Sequence, residues 1–191
     1  MISSNIFASI REGVELNKVA EEDIKITESF ESCFDLIRLK QSPECPIHEG
    51  KNLYLGGLSA TRDESQLQIH NIRTVISMSD ASIPEFDNIR YIRFPIDDSE
   101  DADLLSLLED VCNVIDENLR SSSLLIHCNF GVSRSGSVVV AYKGMVENLP
   151  VDIALQEVRK DRSCVCPNKG FMKQIQIFLM RQTKSIVDQS Y

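Results

Sequence analysis

His127, Cys128, Gly131, Arg134 and Ser135 fall within a nine-residue stretch, His127–Ser135. A thiol, a glycine, a planar cation and a hydroxyl at this spacing could make the cysteine nucleophilic and hold a phosphoryl group against it. An arginine six residues after the cysteine can clamp two phosphate oxygens with its fork. Ser135 can donate a hydrogen bond to the sulfur and help it leave a phospho-enzyme. Gly131 suits a turn with positive φ or a close backbone approach. Asn129, Phe130, Val132 and Ser133 would contribute backbone N–H groups to an anion cradle. His127 would order the loop from behind rather than touch substrate. Taken singly, each residue has a plainer reading, such as a buried structural cysteine or a surface arginine. It is the combination that argues for a site.

Such a loop needs a strand before it and a helix after it. Leu124–Ile126 reads as a short central strand, and residues 135–147 as a helix of small residues able to pack closely on a sheet. A helix N-terminus at this point adds partial positive charge. In an open α/β sheet, ligands bind in the crevice at the carboxyl ends of the strands. Further strands are expected at 52–55, 74–78 and 89–94, rich in β-branched and apolar residues. Helices are expected at 62–69, 104–119, 151–160 and 168–180, the second with Leu104, Leu107, Leu108, Val111, Val114 and Ile115 at helical spacing. Alternating strands and helices predict an α/β fold with a central sheet covered on both faces.

Residues 1–45 read as an extension, 46–185 as the compact domain and 186–191 as a tail. Phe30, Cys33, Phe34 and Ile37 share a helical face, which predicts one docked helix over 28–39. Residues 1–25 are either part of such a docked segment or a free acidic arm.

Bulk properties exclude several classes. The net charge of −9 argues against nucleic acid as a partner, and against a polybasic membrane tether. No apolar run is long enough to span a bilayer. The six cysteines lack zinc-ligand spacing, so neither a metal nor another cofactor is expected. With a 42% apolar chain able to build a full core, a disulfide framework is not required. The expected setting is a reducing cytoplasm or nucleus. The sequence sets no oligomeric state.

HCNFGVSRS, residues 127–135, resembles the active-site signature of the cysteine-dependent protein phosphatases, and most closely their dual-specificity subgroup. The resemblance runs from about Leu53 to Met180. It includes Leu53-Tyr54-Leu55-Gly56, the strand around Ile72–Met78, and Arg162–Phe171, where Pro-Asn and Gly-Phe open the last helix. It implies a mainly parallel sheet of about five strands. It also implies metal-free hydrolysis of phosphotyrosine, phosphoserine and phosphothreonine in proteins, through a phospho-cysteine. Residues 1–45 are too few for an upstream rhodanese-like domain, so a compact, atypical member is the closer match.

The family's general acid comes from a loop after a strand. The pattern places it at Asp98, three residues after Pro95, with Asp97 as the alternative. Asn168 resembles an asparagine that braces the active-site loop, and it is also a candidate helix cap. Nothing before Leu53 resembles the pocket-deepening loop of tyrosine-specific members. The rival readings are a phosphatase for a non-protein phosphate, such as a phosphoinositide or an RNA 5′-phosphate, and a phospho-binding module without turnover. Asn129, Phe130 and Val132 are not basic, which disfavours polyanionic substrates. Cys164 or Cys166 is either an ordinary cysteine or a disulfide partner for oxidised Cys128.

Overall fold

The computed structural model describes residues 34–40 and 51–188, with side chains to 182. The reading of residues 1–25 lies outside them. Among the described residues five strands form one sheet in the order β1-β2-β5-β3-β4. They are β1 (Asp35–Ile37), β2 (Leu53–Gly56), β3 (Ile72–Ser77), β4 (Arg90–Arg93) and β5 (Ser123–His127). β2, β5, β3 and β4 run parallel, and β1 pairs antiparallel with β2. All five residues of β5 are buried, as a strand covered on both faces requires.

The two faces of the sheet are read off the period-two alternation. Leu53, Leu55, Ile76, Leu124 and Ile126 point into a large core with α2 (Leu105–Leu119), α3 (Arg134–Val146), α4 (Val151–Asp161) and α5 (Lys169–Asp188). Tyr54, Val75 and Leu125 point the other way, toward Leu67 of α1 (Glu64–Ile69) and Ala60 of the 3-10 turn Leu58–Thr61. On α2, Leu108, Val111 and Ile115 form the inward stripe. Burying each stabilises the fold by about 1.5–3 kcal/mol. Residues 135–144 of α3 are all buried, because the helix lies inside the large core rather than on its surface.

One expectation is corrected. Residues 35–37 form a strand and not part of a helix over 28–39. Asp35, Leu36 and Ile37 pair with Leu55, Tyr54 and Leu53. The Phe34 ring packs edge-on against Tyr54 at 5.3 Å and His70 at 5.2 Å. The physical reason is non-local. β2 has a free edge on that side, and pairing it satisfies backbone groups that a helix would leave open. The sheet therefore includes residues on the N-terminal side of position 46.

Candidate active site

The loop from Cys128 to Ser133 joins the carboxyl end of β5 to the start of α3. Its carbonyls are tied outward, one after another. The Asn129 carbonyl accepts from Leu58 N–H at 3.0 Å, and the Val132 carbonyl from Cys166 N–H at 2.9 Å. Arg162 holds the two between them, with Nη2 on the Phe130 carbonyl at 3.4 Å and Nε on the Gly131 carbonyl at 3.0 Å. His127 Nδ1 lies 3.3 Å from the Cys128 carbonyl. In a trans peptide the C=O of one residue and the N–H of the next point in opposite directions. Five outward carbonyls therefore turn the N–H groups of residues 129–133 inward. Gly131 shows the result, since its N–H points at Cys128 Sγ, 3.2 Å away. Gly131 has φ +66, and a Cβ there would sit 2.5 Å from the Gly56 carbonyl, so only glycine fits.

Ser135 Oγ makes the second hydrogen bond to Cys128 Sγ, also at 3.2 Å. Cys128 is 2% exposed as a residue, and its sulfur sits at the floor of the cradle with two donors aimed at it. Arg134, at the end of the loop, donates from Nη1 to the Ile96 carbonyl at 3.3 Å. Its Nε is buried without a hydrogen-bond partner among the described residues. A guanidinium donor left open beside a nest of N–H groups fits a bound oxyanion.

Asp98 comes to the same place from the loop after β4. Ser133 Oγ donates to its Oδ1 at 2.6 Å, and Asn168 Nδ2 to the same oxygen at 3.1 Å. Asp97 makes no such bond among the described residues. Asn168 also caps α5 by accepting from Phe171 N–H at 2.9 Å, and its own N–H donates to Ser133 Oγ at 3.2 Å. The Asn168 side chain thus caps α5 and holds the acid loop, and it is the backbone N–H that reaches Ser133. Burial drives the His127 pKa down from 6.5 to about 4, the nearby Arg93 and Arg134 charges acting in the same direction. The ring is neutral at neutral pH, with Nδ1 as the donor toward the Cys128 carbonyl. Burial raises the Cys164 thiol, so it is not an activated nucleophile.

Two contributors escape a reading of residue types. Arg162 carries no role by residue type alone, yet it is 4% exposed behind the loop. Gly170 belongs to the Gly-Phe pair that opens the last helix, and a Cβ there would sit 1.9 Å from the Glu100 carbonyl. Both lie in Arg162–Phe171, the segment whose resemblance to the family was the available signal.

A family model described as "Dual specificity phosphatase, catalytic domain" matches residues 53–180. The chain belongs to that family. It is 36% identical over 127 residues to dual specificity protein phosphatase 22 of Homo sapiens, covering 66% of this chain and 69% of the relative. The Xenopus tropicalis protein of the same name is 36% identical over 128 residues, and the match spans 61% of its length. The crystal structure of human DUSP28 superposes with a TM-score of 0.67 at 27% identity, covering 73% of this chain and 97% of that one. The chain is thus a compact, atypical dual-specificity phosphatase, a cysteine-based enzyme of phosphorylated proteins. Among the described residues no helix is long and apolar enough to cross a membrane.

Proposed function

We propose that this phosphatase works in two steps on tyrosine, serine and threonine phosphates of protein substrates. Cys128 attacks phosphorus in line, and the P–O bond to the side chain breaks as Asp98 protonates the departing oxygen. Arg134 and the backbone N–H groups of residues 129–134 hold the equatorial oxygens as charge builds on them. In the second step Asp98, now ionised, takes a proton from water as it attacks the phospho-cysteine. Ser135 steadies the departing sulfur. His127 and Asn168 act from behind, one on the loop and the other on the acid. The observation that carries this reading is the pair of 3.2 Å hydrogen bonds converging on Cys128 Sγ from the Gly131 N–H and Ser135 Oγ.

The catalytic unit in this reading is 46–185 with β1 added at its edge, and 186–191 is a tail. The net charge of −9 supports a protein that binds neither nucleic acid nor anionic membrane. The free thiols of Cys112, Cys128, Cys164 and Cys166 suit a cytoplasmic or nuclear setting. Phosphate release is to be measured in the presence of a chelator, with phosphotyrosine, phosphothreonine and phosphoinositide substrates and with Cys128→Ser as control. We expect activity on both phosphopeptides, abolished in Cys128→Ser. Higher activity on the phosphoinositide, or release that survives Cys128→Ser, would overturn the proposal.

A further inference from the structure

We infer that Asp35, on the edge strand β1, is a positioning residue for the phosphate cradle and acts through Arg162. The inference rests on the reading of residues 128–135 as that cradle. Arg162 is a charged group 4% exposed, and three of its interactions join β1 to the loop. Nε and Nη2 hold the Gly131 and Phe130 carbonyls, and Nη1 pairs with Asp35 Oδ2 at 2.7 Å. Two neutral carbonyls cannot offset a buried positive charge, and removing a carboxylate paired with such a charge is costly. Asp35 supplies the carboxylate. Removing it weakens the hold on the guanidinium, and through it the hold on the two carbonyls.

Those two carbonyls flank Gly131, the residue of the loop with positive φ. With no Cβ to restrict them, the peptides on either side of a glycine rotate most easily. Arg162 is what holds both in the orientation that turns the Gly131 and Val132 N–H groups inward. The chain of control is therefore carboxylate, guanidinium, two carbonyls, two N–H groups, phosphate.

Asp35 is itself placed by contacts independent of Arg162. Ile37 is buried two residues on. The Arg38 N–H donates to Asp161 at 2.8 Å, and Arg38 Nη1 pairs with the same carboxylate at 2.6 Å. Lys143 Nζ donates to the Arg38 carbonyl, and to Glu147 at 2.7 Å. The Lys40 N–H donates to Glu147 at 2.8 Å. Substituting Asp35 thus removes the charge and leaves the strand held.

The test uses the full chain in four forms, wild type, Asp35→Ala, Asp35→Glu and Arg38→Ala, with turnover of an aryl phosphate as one measurement. Tungstate affinity by calorimetry on the Cys128→Ser background is the second, and it reads the cradle without turnover. We expect Asp35→Ala to lower kcat and weaken tungstate binding, each by about tenfold. Asp35→Glu should restore both to within about threefold, and Arg38→Ala should keep both within about twofold, since the Arg38 side chain is exposed, its N–H still donates to Asp161 and its carbonyl still accepts from Lys143. If Asp35→Ala does not fold, the isosteric Asp35→Asn takes its place with the same expected losses. Unchanged kcat and tungstate affinity in the Asp35 variant would overturn the inference, as would absence of rescue by Asp35→Glu. Should wild type lack Cys128-dependent turnover, the proposed activity falls, and the tungstate series still decides the role of Asp35.

Discussion

A carboxylic acid that gives its proton from one oxygen is best held by the other. Asp98 meets that condition, because Ser133 and Asn168 both donate to Oδ1 and leave Oδ2 to carry the proton. We predict that Asp98→Ala lowers kcat by about a hundredfold or more on an alkyl phosphate, the usual worth of a general acid. Asp97→Ala should change it by less than about threefold. The gap should narrow as the leaving group becomes more acidic, and equal losses in the two variants would refute the assignment. At Gly131 the backbone conformation is the issue. Gly131→Ala must place a Cβ 2.5 Å from the Gly56 carbonyl at φ +66, so phosphate affinity and turnover should both be lost. These residues were legible in the sequence because their side chains are the chemistry and lie within one short stretch. Arg162 was not, since its role exists only once the fold brings position 162 behind the Phe130 and Gly131 carbonyls.

At the scale of elements, the acid loop and the last helix are fitted to each other. α5 starts against the backbone of Glu100, and Asn168 at its cap donates to the Ser99 carbonyl at 3.2 Å. Gln174, one turn further on, accepts from the Leu105 N–H at 2.7 Å and donates to the Ala102 carbonyl at 2.9 Å. The segment 98–105 is thus pinned along the face of α5. Gly170→Ala forces a Cβ into the Glu100 carbonyl, and the exposed loop yields more readily than the packed helix. Its expected signature is that of a displaced acid. kcat falls on alkyl phosphates, recovers with an acidic leaving group, and tungstate affinity stays within about twofold of wild type. β3, β4 and β5 were legible as apolar, β-branched runs, and the helices as stripes of period 3.6. β1 was not, because Phe30, Cys33, Phe34 and Ile37 carry helical spacing and the partner that makes 35–37 a strand lies at Leu53–Leu55. Local pattern lost to pairing with a distant edge.

At the scale of the molecule, His127 links the site to stability. Its pKa is 6.5 when exposed and about 4 in the fold, chiefly through burial. Between those values the unfolded chain binds a proton that the folded chain refuses. Stability therefore rises with pH through that window and is lost as pH falls from about 6.5 toward about 4, by on the order of 3 kcal/mol from this group. A Tm series from pH 7 to pH 4 should show the fall, and His127→Gln should flatten it. An equal slope in the two proteins would rule this source out. β1 carries a different consequence. The family match begins at Leu53, and a protein cut there would keep β2, β5, β3 and β4 but lose the strand that covers β2. Its outer backbone would then be an open template of N–H and C=O groups, which other chains can extend as a shared sheet. Light scattering should find the shortened protein self-associating and the full chain not. Three residues at the margin of the sheet would in that case separate a solution of discrete molecules from one that polymerises.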